Sequence, residues 1–212
     1  MNILEADSIN IAFDGRTILS DIYVKCETNE IVGLVGRNGS GKSTLMKILF
    51  GSLRGENQSV RFNKTYYHIP FENKGLINYL PQDIFLPDKL SFREARELYD
   101  IKAEFEETKD IENIRLGQLS KGQARFLETL IILYAPTMFA LLDEPFSYLS
   151  PVLIERLIPH IKKQSRVKGI ILSDHSYRTV LDVCSRFYFL TDGYLQSIFE
   201  KEELQQFGYL PE

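Results

Sequence analysis

The sequence predicts an α/β fold: a parallel sheet covered by helices, an N-terminal antiparallel β layer, and a small helical lobe. Three observations carry this. The apolar run Ile31–Val35 leads through a glycine-rich loop directly into a helix-forming run that ends at Phe50. From residue 136 onward, short apolar strands alternate with helical stretches, the pattern of parallel strands joined by crossover helices. Residues 3–26 instead alternate apolar and polar in two bursts, Ile3–Phe13 and Ile18–Cys26. Asp14-Gly15-Arg16 between them is a turn signal, so a hairpin is expected.

The loop after Val35 carries the most chemistry. Gly36, Arg37, Asn38, Gly39, Ser40, Gly41, Lys42, Ser43 and Thr44 spell G-x-x-x-x-G-K-S-T, the spacing of a phosphate-binding loop. Glycines let successive backbone N–H groups curl toward an anion. Lys42 adds a charge for the β- and γ-phosphates, and the Ser43 hydroxyl is suited to Mg²⁺. The following helix directs its positive dipole end at the phosphates. A P-loop nucleotide triphosphatase core is therefore expected.

Composition narrows the class. The 212 residues are 44% hydrophobic and 25% charged, which marks a folded chain rather than a disordered one. A net charge of −4 gives no nucleic-acid footprint, so no nucleic-acid partner is expected. Cys26 and Cys184 are far apart and lack metal-ligand spacing, which suggests a reducing compartment without a structural disulfide. The first seven residues have neither a basic nor an apolar leader segment, so no signal peptide is expected. The longest apolar stretch, Leu130–Leu142, is interrupted by Ala135-Pro136 and is too short to span a bilayer.

The remaining elements follow in order. Phe13 ends the first strand; it reads either as a packing aromatic or as a flat face for an adenine ring. Gly51–Ser59 is a polar link. Val60–Phe62, Thr65–His68 and Leu76–Leu80 read as short strands extending the antiparallel layer, with His68 at its edge. Pro81-Gln82-Asp83 is a loop after the third piece. Residues 83–119 read as mostly helical and polar. Ser91-Phe-Arg-Glu94 forms a capping box for a helix to Tyr99, and Glu104–Lys109 reads as a solvated helix face. Ser120 is an N-cap for a helix to Tyr134 with apolar Phe126, Leu127, Leu130, Ile131 and Leu133. Met138–Glu144 is a buried strand ending in two carboxylates, the metal-side pattern of P-loop enzymes. A helix over 151–165, a strand Ile170–His175 and a helix Tyr177–Cys184 follow. A hairpin over 186–199 and a terminal helix over 202–207 close the chain.

In this order the motifs resemble those of an ATP-binding cassette (ABC) ATPase, and the resemblance covers nearly the whole length. Phe13 falls at the adenine-stacking aromatic, Gly36–Ser43 at the phosphate loop, and Gln82 at the Q-loop glutamine. Leu119-Ser-Lys-Gly-Gln123 resembles the signature Leu-Ser-Gly-Gly-Gln. Asp143 and Glu144 match the Mg²⁺-side aspartate and the catalytic glutamate, Ser147–Ser150 the D-loop, and His175 the switch histidine. The resemblance implies one ATPase domain over 1–212 with its helical lobe at about 83–134. It implies ATP and Mg²⁺ as cofactors, with Ser43, Gln82 and Asp143 near the metal. It makes Glu144 the general base, with His175 and Lys42 beside it. It further implies a head-to-tail dimer in which Ser120, Gly122 and Gln123 meet the nucleotide of the second subunit, a homodimer being the simpler form. A separate integral membrane subunit would supply the pore, placing the protein at the cytoplasmic face of the membrane.

Several departures stand out. Lys121 replaces the first signature glycine, and Ser150 stands where the D-loop usually carries aspartate. Phe146 and Tyr148 are bulkier than usual there, and only 38 positions separate Gln82 from Ser120. Two other readings stay open on the sequence: a non-transport ABC ATPase in repair or regulation, and a nucleotide-gated module with little turnover.

Overall fold

The computed structural model describes residues 1–198 and 203–206. Strand β1 (Ile3–Phe13) turns through Asp14 and Gly15, both at positive φ (50° and 77°), into β2 (Arg16–Glu27). The two pair antiparallel from Ile3 opposite Glu27 to Phe13 opposite Arg16. Strand β3 (Ile31–Val35) is buried at every position and feeds the glycine-rich loop and α1 (Lys42–Phe50). Strands β4 (Asn57–Phe62) and β5 (Thr65–Tyr66) complete a four-stranded antiparallel layer in the order β2-β1-β4-β5. The strand expected over Thr65–His68 stops at Tyr66, and His68 is exposed beyond it.

Strand β6 (Ile77–Leu80) does not extend this layer as the sequence suggests. It pairs parallel with β7 (Phe139–Asp143), Ile77 opposite Phe139 and Leu80 opposite Leu142. Its alternation is equally compatible with either sheet, and only the distant partner strand decides. Between residues 83 and 119 the chain is less helical than expected. It holds one α-helix, α2 (Phe92–Leu98), and two 3₁₀ turns, Glu106–Thr108 and Leu116–Gln118. The capping box at Ser91 and Glu94 is present, since it depends only on residues within one turn.

Helix α3 (Lys121–Tyr134) starts on a second capping box, Ser120 with Gln123. After β7 come α4 (Pro151–Ser165), β8 (Gly169–Ser173), α5 (Tyr177–Val183), β9 (Arg186–Thr191) and β10 (Tyr194–Ile198). Of the expected terminal helix, α6 (Glu203–Gln206) is described; Glu202 and Phe207 lie outside the described residues, as does Phe199 of the last hairpin. The second sheet runs β10-β9-β3-β8-β7-β6, parallel throughout except for the β9–β10 hairpin.

Two apolar cores flank this sheet. On one side Leu45, Met46, Ile48 and Leu49 of α1 are fully buried between the two sheets, against Leu4, Ile9, Leu19 and Leu34 among others. Each such side chain contributes about 1.5–3 kcal/mol of transfer free energy. On the other side α2, α3, α4 and α5 bury Phe92, Leu127, Leu130, Leu157 and Val180. Helix α3 is buried nearly all round, and it also buries two charged residues, Arg125 and Glu128.

Candidate functional site

The strand order brings the predicted residues together. Strands β3, β8, β7 and β6 are consecutive parallel neighbours, so their carboxyl ends lie on one edge of the sheet. Ligands of open α/β sheets bind at that edge. There β3 delivers the glycine-rich loop, β8 delivers His175, β7 delivers Asp143 and Glu144, and β6 delivers Gln82. Phe13, at the tip of the antiparallel layer, closes the same cleft. The cleft encloses about 380 Å³ and is lined by Phe13, Ile18, Asn38, Gly39, Gly41, Lys42, Ser43, Thr44, Gln82, Asp143, Glu144 and His175. Phe13 is 47% exposed, so it is a free face and not a core aromatic.

The loop geometry depends on glycine at two points. Gly36 has φ 154°, and a Cβ there would sit 2.3 Å from the Leu190 carbonyl oxygen. Gly41, at φ 106° and next to Ile18 and Leu19, is the left-handed residue that opens α1. Lys42 donates to the Gly36 and Arg37 carbonyls at 2.8 and 3.0 Å, holding the loop closed around its own ammonium. Burial lowers the Lys42 pKa, while Asp143 and Glu144 oppose that shift. The cleft thus has a cation and a helix N-terminus on one wall and two carboxylates on the other.

Asp143 is almost completely buried. Burial pushes its carboxyl above the usual range, against hydrogen bonds from Ser43 and Tyr79 that lower it. The Tyr79 hydroxyl donates to Asp143 Oδ2 at 3.1 Å. Glu144 sits in the left-handed region at φ 55°, an uncommon conformation for a side-chain-bearing residue and one found at functional sites. Its carboxylate pairs with His175 Nε2 at 2.6 Å and accepts from Ser147 Oγ at 2.9 Å. His175 therefore faces the carboxylate that the sequence reading makes the base. The Ser43 hydroxyl, Gln82 amide and Asp143 carboxylate are hard oxygen donors. Their chemistry fits a small divalent cation such as Mg²⁺, which they could hold together with phosphate oxygens. No group of three or more His, Cys, Asp or Glu suited to a metal occurs among the described residues.

Ser120, Gly122 and Gln123 do not line the cleft. Ser120 Oγ accepts from the Gln123 N–H at 3.2 Å, and the Gln123 side chain accepts from the Ser120 N–H at 3.0 Å. Gly122 is pressed against the loop after β7: a Cβ there would lie 2.5 Å from the Tyr148 carbonyl oxygen. Lys121 is exposed and folds its ammonium over the Tyr148 ring at 5.4 Å. Ser150 caps α4, accepting from the Leu153 N–H at 3.4 Å.

Four residues around the site escape sequence reading. Arg125, fully buried, donates from Nη1 to the Pro81 carbonyl at 2.6 Å and from Nε to the Glu144 carbonyl at 3.1 Å, and it also donates to the Asp143 carbonyl. Glu128, one turn on, accepts from the Phe85 and Leu86 N–H groups at 2.7 and 2.8 Å. Together they hold the Gln82 loop at both ends and fix the end of β7. Asp174 accepts from Phe146 and Ser176 N–H groups, tying the β8 end to the loop after Glu144. Tyr79 is the fourth. For Arg125 and Glu128 the signal in the sequence is a pair of opposite charges, i and i+3, within the mostly apolar stretch of α3.

A P-loop fold with an acidic strand end, a glutamine and a histidine converging on the phosphate loop defines a nucleotide triphosphatase. The comparisons with known proteins narrow the class. A family model, ABC transporter, matches residues 19–147. The lipopolysaccharide export system ATP-binding protein LptB of Haemophilus influenzae is 32% identical, over 91% of this chain and 88% of its own length. Its Escherichia coli counterpart is 31% identical, over 92% and 89%. A solved ATP-binding subunit of an ABC transporter superposes with a TM-score of 0.84 at 23% identity, covering 98% of this chain and 94% of that one. The chain belongs to the ABC transporter family, as an ATP-binding, ATP-hydrolysing subunit. No helix among the described residues is long and apolar enough to cross a membrane.

Proposed function

We propose that this chain powers transport by closing around ATP as a head-to-tail dimer beneath a separate membrane subunit. The observation that supports it most is the convergence of four neighbouring strand ends on one cleft. In this reading ATP stacks its adenine on Phe13 and lays its phosphates on the N–H groups of Gly36–Thr44 and on Lys42. Ser43, Gln82 and Asp143 hold Mg²⁺, which when bound neutralises charge developing on the phosphates. Glu144 takes the proton of the attacking water. His175, already paired with the Glu144 carboxylate, fixes its orientation and hydrogen-bonds the γ-phosphate. The bond from water oxygen to γ-phosphorus forms as the bond to the ADP oxygen breaks, which leaves ADP and inorganic phosphate.

The second half of the site comes from another subunit in this reading. Ser120, exposed at the start of α3 and apart from the chain's own cleft, would lead this contact, with the Gly122 N–H and Gln123 behind it meeting the γ-phosphate held by a partner. Two copies of this chain make both sites equivalent. Residues 1–212 act as one ATPase domain, with the segment 83–134 as the lobe that moves with the signature turn. A groove of about 340 Å³ between the Gln82 loop and α3 exposes Ile84 beside Leu86 and Leu119. It takes a short segment of the membrane subunit and holds the protein at the cytoplasmic face.

Co-expression with the membrane proteins encoded beside it, followed by affinity capture, tests this reading. The expected result is a stable complex whose ATPase rate changes when the membrane subunit is present. A chain that hydrolyses ATP yet remains partnerless in that experiment refutes the transport role.

A further inference from the structure

We propose that Tyr79 is a positioning residue for Asp143, whose hydroxyl holds one carboxylate oxygen so that the other faces the cleft. The proposal rests on the reading of Asp143 as a metal-side carboxylate. Tyr79 lies on edge strand β6, and its backbone is fixed by parallel pairing with Leu141 of β7. Its ring lies against an aromatic cluster: Phe50, at the end of α1, packs tilted on Tyr79 at 5.5 Å and stacks on Phe71 at 5.1 Å. The cluster joins the far end of the phosphate-loop helix to the strand beside the acidic end. From that fixed ring the hydroxyl reaches Asp143 Oδ2 at 3.1 Å.

A carboxylate on a strand end rotates about χ2 unless its oxygens are held. Asp143 is 1% exposed, so water does little to hold it. Beside the hydrogen bond from Ser43 on the cleft side, Tyr79 supplies a donor from behind, its backbone held by β7 and its ring against Phe50, and by taking Oδ2 it leaves Oδ1 for the cleft that Asp143 lines. Outer partners of this kind fix a ligating carboxylate, and their loss typically costs 10–100-fold in metal affinity or activity. Tyr79 has no place in the cleft lining, so it acts through Asp143 and not on nucleotide.

The test is binding of a fluorescent ATP analogue to the full chain, first in EDTA and then across a Mg²⁺ titration. Tyr79→Phe keeps the ring and its packing and removes only the hydroxyl. It is expected to bind the analogue in EDTA as the wild type does, but to need about ten-fold more Mg²⁺ for half of the metal-dependent gain. Phe50→Leu keeps the hydroxyl and loosens the ring, and it is expected to shift the midpoint about two- to three-fold by the same logic. An unchanged Mg²⁺ midpoint in Tyr79→Phe overturns the proposal. So does an equal loss of binding in EDTA, which marks a merely structural role. If Tyr79→Phe does not fold, the Phe50→Leu midpoint decides in the same way. A wild type whose analogue binding ignores Mg²⁺ instead refutes the metal-side reading of Asp143, separately from this inference.

Discussion

Replacing Arg125 by methionine removes a planar donor from the centre of the site while keeping most of its volume. The guanidinium is fully buried and serves the carbonyls of Pro81, Asp143 and Glu144, and its Nη1 lies 3.8 Å from Glu128 Oε2. The variant leaves Glu128 as a buried carboxylate without its cation. Breaking a buried pair in this way costs about 3–5 kcal/mol. Against a typical domain stability of about 5–15 kcal/mol this is a large fraction. At about 2–4 °C per kcal/mol it lowers Tm by roughly 6–20 °C for a domain of this size. Urea unfolding at pH 7 measures the loss directly. The double variant with Glu128→Gln removes the stranded charge while keeping an acceptor for Phe85 and Leu86, so its loss is expected to fall short of the summed single losses by about 1–3 kcal/mol. Because the freed carbonyls flank Gln82 and belong to Asp143 and Glu144, ATPase activity of the folded variant is expected to drop about 10–100-fold. A stability loss under about 1 kcal/mol, or strict additivity in the double variant, refutes the role given to the Arg125–Glu128 pair.

The other expectations are more direct. Lys42→Ala is expected to abolish ATP binding in equilibrium titration, since it removes the cation that faces the loop. Glu144→Gln is expected to retain ATP binding while hydrolysis falls about 10²–10⁴-fold in a phosphate-release assay; unchanged turnover removes Glu144 as the base. Ser120→Arg is expected to bind ATP normally as a monomer but to fail to form an ATP-dependent dimer in light scattering. Lys168 is 3% exposed and donates to the Ala135 carbonyl at 2.9 Å. Burial pulls its amine from 10.5 to about 8. Between about pH 8 and 10.5 the unfolded chain holds a proton that the folded chain releases, so stability rises with pH across that window. Measured as the difference from Lys168→Met, the gain is about 3 kcal/mol, and a flat difference contradicts the burial argument.

Much of the site was readable because its signals are local. The phosphate loop is nine consecutive residues from Gly36 to Thr44, and its conformation follows from where glycine stands. The capping box at Ser91 and the N-cap at Ser120 each close within three residues, and both are present as the sequence implies, the second extended by Gln123 into a box of its own. Strand ends carrying Asp143-Glu144 and His175 are likewise marked by apolar runs that stop at a polar residue. The sequence by itself therefore determined the chemistry on offer and most of the elements that carry it.

The tertiary structure decided how those pieces meet. Whether Ile77–Leu80 joins the antiparallel layer or the parallel sheet depends on hydrogen bonds to Phe139–Asp143, about sixty residues away, and alternation is silent on that choice. The same holds for Tyr79 reaching Asp143, and for Arg125 and Glu128 gripping the Gln82 loop from a helix more than forty residues downstream. Buried polar groups must find partners, but which partners is set by sheet order and helix packing, not by neighbours in the chain. The parallel order β3-β8-β7-β6 turns four separate motifs into one cleft. Local pattern encodes the parts because their stabilising contacts close within a turn or a strand. Assembly of the site is long-range, because its hydrogen bonds exist only once the sheet has formed.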